Sequence, residues 1–245
     1  MRLLIISDIH ANLTAFETVL ADAKGEWDEI WCLGDVIGYG PDPNECAALL
    51  LQYDHVSLSG NHDWAVLDKL DITTFNHEAR QAISWTQDAI TEETRDYLKD
   101  LPPMAIAPPH FTLAHASPRH PVWEYILEAV TAAENFNYFE TSFCLVGHTH
   151  TPIIFEQTAQ NVTHHLPIYG HALSLEQFDG HRLIINPGSV GQPRDSDPRA
   201  AYALLDLDEL TWEHRRVPYD IASVQARMRK HGLPERLAMR LEFGW

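Results

Sequence analysis

The first sixty residues constrain this chain most. "RLLIISD" (2–8) is a short run rich in branched apolar residues that stops at a carboxylate. A run that is apolar at nearly every position reads as a strand buried on both faces. "NLTAFETVLADA" (12–23) follows, with Leu13, Phe16, Val19 and Leu20 at helical spacing and Asn12 placed to cap. "EIWCLGD" (29–35) is a second strand, again ending at an aspartate. "GYGPDPNECAALLLQ" (38–52) is predicted to be helical, with Asp42 as N-cap, Pro43 at N1 and Glu45 at N3. "HVSLSGNHD" (55–63) is a third strand running into a polar loop. The order βαβαβ calls for parallel strands joined by crossover helices, hence an α/β core. In such sheets ligands bind outside the carboxyl ends of the strands, which is where the polar residues of these runs fall.

Residues 64–110 read as mostly helical. Asn76 caps a helix reaching about Asp88, with Ala79, Ala82, Ile83 and Ile90 on one face, and Thr91 caps a second over 91–101. "LPPMAIAPPH" (101–110) ends it. Strands return at 111–117, 143–150, 153–157, 183–189 and 201–207, with a helix expected around 121–135. A last helix covers 220 to about 231 and is followed by an irregular tail. His164, His165, His171 and His181 fall in a polar hairpin region and read as surface residues. The expected organisation is one domain over 1–245, with 64–110 as a helical insertion bordering the pocket.

Charge narrows the partners. Lys plus Arg number 17 and Asp plus Glu 35, so the formal charge is −18. That balance repels duplex nucleic acid, and no basic run offsets it, since "RMRKHG" (227–232) reads as a helix end. The three cysteines form no CxxC, and Cys32 and Cys144 sit in apolar runs as core thiols. Reduced thiols, no leader and no apolar run near the ~20 residues of a membrane span lead us to expect a cytoplasmic chain with no membrane contact.

Five strand ends carry the chemistry: "SDIH" (Asp8, His10), "GDV" (Asp35), "GNHD" (Asn61, His62, Asp63), "AHAS" (His115) and "GHTH" (His148, His150). A single Asp-x-His is usually a turn. Five apolar runs that each stop at a carboxylate, imidazole or carboxamide are hard to explain as solvated turns. Carboxylates and imidazoles with one amide oxygen make a mixed O/N donor set, which suits Mn, Fe, Zn, Co or Ni better than Mg or Ca. No thiolate belongs to it, which excludes a cysteine-rich structural zinc site. Seven candidates with one carboxylate shared make two sites of four ligands, and paired ions ~3.5–4 Å apart are a standard device for phosphate-ester hydrolysis. His148 and His150 alternate along an extended end and can point to one side, Gly147 lets the backbone approach closely, and Pro152 fixes the exit.

These blocks, in this order, resemble the calcineurin-like metallophosphoesterase superfamily, whose pattern is D-x-H, GD, GNH[DE], H and GHxH. The likeness covers essentially the whole chain. "DIHAN", "GDVIGYGPDPNE", "NHEARQAISW" (76–85) and "NPGSVGQPRD" (186–195) are similar to its small bacterial and archaeal branch of YfcE-like phosphodiesterases and diadenosine-tetraphosphatase-related proteins. The resemblance implies a four-layer αββα sandwich of two mixed sheets with the site at the strand ends. It implies that Asp8, His10 and His150 hold one divalent ion, that Asn61, His115 and His148 hold a second, and that Asp35 bridges them. Manganese is the first expectation for both ions, with iron, zinc, nickel or cobalt compatible. His62 would be a general acid or a charge partner for the phosphate, with Asp63 orienting its ring, and a water activated between the ions would attack the ester.

The expected substrate is a small-molecule phosphodiester or phosphomonoester. A nuclease or phosphoprotein phosphatase on the same chemistry would need a basic groove or a peptide surface, and a non-catalytic scaffold would be expected to lose ligands. Arg194 is the candidate phosphate clamp, against pairing with Asp195 or Asp197. Asn12 is a second substrate-binding candidate, against a plain helix cap. Tyr39, Trp64 and Asn76 are candidates for the pocket wall, against packing or capping. Nothing in the sequence sets an oligomeric state.

Overall fold

The computed structural model of the protein describes residues 1–107, 109–178 and 180–245. Pro108, at the end of the stretch expected to be mostly helical, lies outside the described residues. Among the described residues, twelve strands form two sheets: β1 (Arg2–Ile6), β2 (Glu29–Cys32), β3 (His55–Ser57), β4 (Met104–Ala107), β5 (Phe111–Ala114), β6 (Phe143–Val146), β7 (Ile153–Gln157), β8 (Val162–His165), β9 (Ala172–Ser174), β10 (Arg182–Asn186), β11 (Ala200–Asp206) and β12 (Thr211–Val217). The first sheet has the order β3-β2-β1-β11-β12-β9 and the second β4-β5-β6-β10-β7-β8. Both are mixed. β1, β2 and β3 run parallel, as do β5, β6 and β10, while β11 joins β1 and β7 joins β10 antiparallel.

The helices are α1 (Leu13–Asp22), α2 (Pro43–Leu50), α3 (Asn61–Val66), α4 (His77–Ala89), α5 (Glu92–Lys99), α6 (Ala129–Asn135), α7 (Ile221–Lys230) and α8 (Glu235–Phe243). The period-2 geometry of the strands sorts apolar residues into three layers. Leu3 and Ile5 of β1, Phe111 and Leu113 of β5, Phe143 and Leu145 of β6, and Leu183 and Ile185 of β10 meet between the sheets. Their neighbours Leu4 and Ile6 turn outward onto α1, α2, α4, α7 and α8. On the other side Ala114, Cys144, Val146 and Ile184 turn onto Ala132 of α6 and onto Ile126, Phe136 and Phe139. This is the four-layer sandwich of two mixed sheets with flanking helices.

Several expectations change. Asp42 stands at the N-cap of α2, but its carboxylate makes no cap bond and accepts two hydrogen bonds from Arg227 instead. Arg227 on α7 is the stronger, charged donor. The helix expected over 121–135 forms only from Ala129, because Glu124 is drawn out of helical geometry into a knot of side-chain bonds described below. The tail after 231 is not irregular. α8 buries Leu237, Ala238 and Leu241 on one face and ends at Gly244 in the left-handed region. The stretch 64–110 ends in β4, which pairs antiparallel with β5.

His214 on β12 is fully buried. Its Nε2–H donates to the Pro187 carbonyl at 2.8 Å, and the Trp212 indole N–H donates to Nδ1 at 3.3 Å. Burial lowers its pKa from 6.5 to about 4. The folded value lies below the unfolded one, so the unfolded chain takes up the proton first and stability falls as pH drops from about 7 towards 4. Urea unfolding at pH 7.5 and pH 5 is expected to show a loss of about 2 kcal/mol from this group. His214→Gln keeps a donor and an acceptor but cannot titrate, and should lose that much less over the same interval; an unchanged pH slope would refute the assignment.

Candidate metal centre

The carboxyl ends of β1, β2, β3, β5 and β6 all open onto one place, and the five sequence blocks meet there. Asp8, His10, Asp35, Asn61, His62, His115, His148 and His150 are all buried. Two compact groups form: Asp8, His10 and His150, and Asp35, His115 and His148, with donor atoms in each within 4.8 Å of one another. Asp35 Oδ2 lies between them, 3.6 Å from His10 Nε2 and 3.5 Å from His115 Nε2. A further group of the same size joins His62 to His10 and Asp35. Asn61 Oδ1 lies 3.3 Å from His115 Nε2.

The ring nitrogens bear on what this arrangement could hold. His10 Nδ1–H donates to the Ile37 carbonyl at 3.2 Å, His115 Nδ1–H to Leu33 at 2.8 Å, and His150 Nδ1–H to Gln192 at 2.6 Å. A carbonyl only accepts, so each Nδ1 carries the hydrogen and each neutral ring turns a bare Nε2 inward. His10 Nε2 and His150 Nε2 therefore face each other lone pair to lone pair at 3.0 Å. His148 Nε2 is buried and meets no hydrogen-bonding atom among the described residues. Burial holds His10, His148 and His150 well below the usual histidine range, with Arg194 adding to the effect. Burial also pushes Asp8 up to about 7 and, with Asp63 beside it, pushes Asp35 well above the usual carboxylate range. Converging imidazole lone pairs with no N–H among them, beside carboxylates whose charge burial disfavours, are repulsive alone and fit a cation.

The backbone is bent to make this possible. Asp8, His10, Asp35, His148 and His150 all have positive φ, between 48° and 63°. Left-handed non-glycine residues cost on the order of 1–3 kcal/mol each and gather at functional sites. Backbone amides hold the carboxylates: His148 N–H donates to Asp8 at 3.0 Å and His62 N–H to Asp35 Oδ1 at 2.9 Å. At Gly147 a Cβ would fall 1.9 Å from Ser7 Oγ, and at Gly60 2.0 Å from Asp35 Oδ1, so both blocks need glycine to close on their partners.

Asp63 departs from its expected role. Its carboxylate accepts from the amides of Gly60, Ile37 and Val36 at 2.9, 3.1 and 3.4 Å and does not hold the His62 ring, whose Nδ1 has no partner among the described residues. At N3 of α3 a carboxylate is drawn back to the orphan amides of the helix start, and here it also ties the Asp35 loop to that helix. His62 is held by rings instead: Tyr39 at 4.2 Å, His10 at 4.9 Å and Phe75 at 5.3 Å between centroids.

Asn12 Oδ1 accepts from Ala15 N–H at 3.1 Å and its amide donates to the Gly191 carbonyl at 2.9 Å. It braces α1 against the 186–195 loop, the capping reading rather than the substrate one. Arg194 takes neither neighbouring carboxylate, because Asp195 pairs with Arg216 and Asp197 with Arg199. Its guanidinium lies over Tyr39 at 5.8 Å and donates to Gln192 Oε1 at 3.0 Å. Tyr39 borders the site, whereas Asn76 caps α4 and Trp64 faces Lys69. Asn186 escaped the sequence reading. Its amide holds the "GHTH" turn through the Gly147 carbonyl at 2.7 Å and Thr149 Oγ1 at 3.0 Å. The quoted "NPGSVGQPRD" carried its signal, but only as part of the family likeness.

Among known proteins, an uncharacterised protein of Methanocaldococcus jannaschii is 38% identical over 98% of this chain and 97% of its own length. The crystal structure of a metallophosphoesterase from Sphaerobacter thermophilus superposes with a TM-score of 0.90 at 48% identity, covering 100% of this chain and 99% of that one. A hypothetical protein from Pyrococcus horikoshii OT3 shares the fold at TM-score 0.80 and 20% identity, over 100% and 98% of the two chains. The model of the calcineurin-like phosphoesterase superfamily domain matches residues 1–210, and on these grounds the chain belongs to the calcineurin-like phosphoesterase superfamily.

Proposed function

We propose that this chain is a dinuclear metal-dependent phosphoesterase acting on small-molecule phosphodiesters or phosphomonoesters. Family membership supports phosphoester hydrolysis as the reaction class. The observation that carries the finer reading is the pair of donor groups with Asp35 Oδ2 between them, 3.6 Å from His10 Nε2 and 3.5 Å from His115 Nε2, and with bare imidazole nitrogens turned inward. Asp8, His10 and His150 would hold one ion, Asn61, His115 and His148 the other, and Asp35 both. Two divalent cations bound there supply Lewis-acid activation of a water and neutralise charge on the phosphate.

The chain's own residues do the rest. Left-handed backbone at five of the ligands pre-sets their directions. The Nδ1–H bonds to Ile37, Leu33 and Gln192 fix the rings of His10, His115 and His150 with Nε2 as the donor to metal. Arg194 faces the phosphate as a planar cation. His62, wedged between Tyr39 and Phe75, would give a proton or hydrogen bond to the departing ester oxygen. Manganese is the ion we expect, with iron, zinc, nickel or cobalt compatible. The three free, buried cysteines favour a reducing cytoplasm. A net charge of −18 favours small esters over long nucleic acid. Among the described residues no helix is long and apolar enough to cross a membrane.

The test is hydrolysis of bis(p-nitrophenyl) phosphate and p-nitrophenyl phosphate by metal-stripped protein titrated with Mn, Ni, Co, Zn or Mg. Turnover should return as the second ion per chain binds, and the ratio of the two rates sorts diester from monoester preference. Two ions bound with no turnover on either ester would turn the reading towards a non-catalytic scaffold.

A further inference from the structure

Two of the large apolar side chains left in solvent stand beside the centre, one residue apart. Trp123 is 43% exposed and Tyr125 47%. Isolated exposed apolar residues are ordinary, but these two continue the ring system of the site. Tyr125 stacks on His148 at 4.0 Å and 29°. Trp123 sets its edge against Phe75 at 4.9 Å, and Phe75 meets His62 at 5.3 Å. Trp123 is itself 6.5 Å from the His148 ring. One aromatic wall thus runs from the imidazoles outward and leaves its last faces open.

The wall is also rigid. Glu124, between the two rings, points the other way and accepts from Ser117 Oγ at 2.7 Å, Asn135 Nδ2 at 2.8 Å and Arg119 Nε at 3.1 Å. Those bonds tie the segment to α6 and to the loop that follows His115. A loop with two rings facing out, locked by a carboxylate facing in, has little ordering entropy left to lose on binding. Rigid aromatic faces take flat rings by stacking.

We propose that Trp123, with Tyr125 beside it, forms a subsite for a nucleobase or similar flat ring, so that the substrate class is a nucleotide-sized phosphoester. This rests on the phosphoesterase reading for the phosphate end. Trp123 lies on the His148 side of the centre, and Arg194 lies over Tyr39. The acidic surface argues for a single nucleotide unit over a long strand.

The test uses the metal-loaded full chain and two phosphonates, of adenosine and of ribose, in which CH2 replaces the 5′ ester oxygen so that nothing turns over. Calorimetry should find the adenosine compound bound about tenfold tighter or more. Trp123→Phe should keep most of that ratio, and Trp123→Ala should reduce it to about threefold or less. Equal binding of the two compounds by the unaltered chain would sink the stacking subsite while leaving the phosphate site intact. A ratio that survives Trp123→Ala, with a changed oligomeric state by sedimentation, would assign the rings to contact between copies and overturn the proposal. If neither compound binds, the phosphoesterase reading fails, and this inference with it.

Discussion

Asp35→Asn is expected to lower kcat/KM for bis(p-nitrophenyl) phosphate by about a thousandfold or more, and to reduce bound metal from two ions per chain to one or fewer. The substitution is close to isosteric. Asn tolerates the left-handed backbone that Asp35 adopts, and its oxygen can still accept from His62 N–H. What it removes is the charge at Oδ2, the atom between the two histidine groups. Metal content by elemental analysis beside steady-state rates checks both halves. A thermal melt separates lost metal from misfolding. Asp35 is a buried carboxylate with Asp63 nearby, so with no metal bound its charge is a burden. Metal-free Asp35→Asn should therefore melt higher than the metal-free parent. A variant that retains two ions and most of its rate would remove Asp35 from the bridging position.

His62→Ala should behave differently. It is expected to cost about 10²–10⁴ in kcat while two ions remain bound. The loss should depend on the ester. A p-nitrophenolate leaves without a proton, whereas an alkoxide needs one, so an alkyl ester should lose more rate than the p-nitrophenyl ester does. His62 also belongs to one of the donor groups, with His10 and Asp35. If elemental analysis shows that an ion leaves with the ring, His62 is a ligand and the proton-donor assignment falls. Equal losses on both kinds of ester would point to a charge partner for the phosphate.

Much of the fold is legible in local pattern. β1, β2, β5, β6 and β10 are short runs that must be apolar on both faces because a sheet packs on one side and helices on the other. The strands that escaped notice are the edge strand β4 and the half-exposed β8, β9 and β12. Their alternation is diluted by His164, His165, Arg215 and Arg216, of which Arg215 pairs with Glu26 and Arg216 with Asp195 from distant parts of the chain. α8 carried readable signals in Pro234, the spacing of Leu237, Ala238 and Leu241, and Gly244, but its polar face masked them. The donor residues are legible because each ends an apolar run. Their supports are less so. Asp63 turns to three amides instead of to His62, and only the path of the Asp35 loop over α3 decides that. Trp123 and Tyr125 gave no signal, because a ring in a loop looks the same whether it packs inward or borders a site.

The hydrogen bond from His150 to the Gln192 carbonyl bears on the order in which the protein is made. Asp8, His10 and Asp35 leave the ribosome before β6, yet they define no geometry until it stands beside them. The "GHTH" turn then waits for Asn186 to hold it, and the His150 ring waits for residue 192. Ligand sets are rarely formed in an unfolded chain. On the proposed reading, a growing polypeptide of this sequence has no complete donor set until residue 192 has been added. The choice of ion would then fall to a chain already folded from β1 to residue 192, in whatever medium that folding finishes.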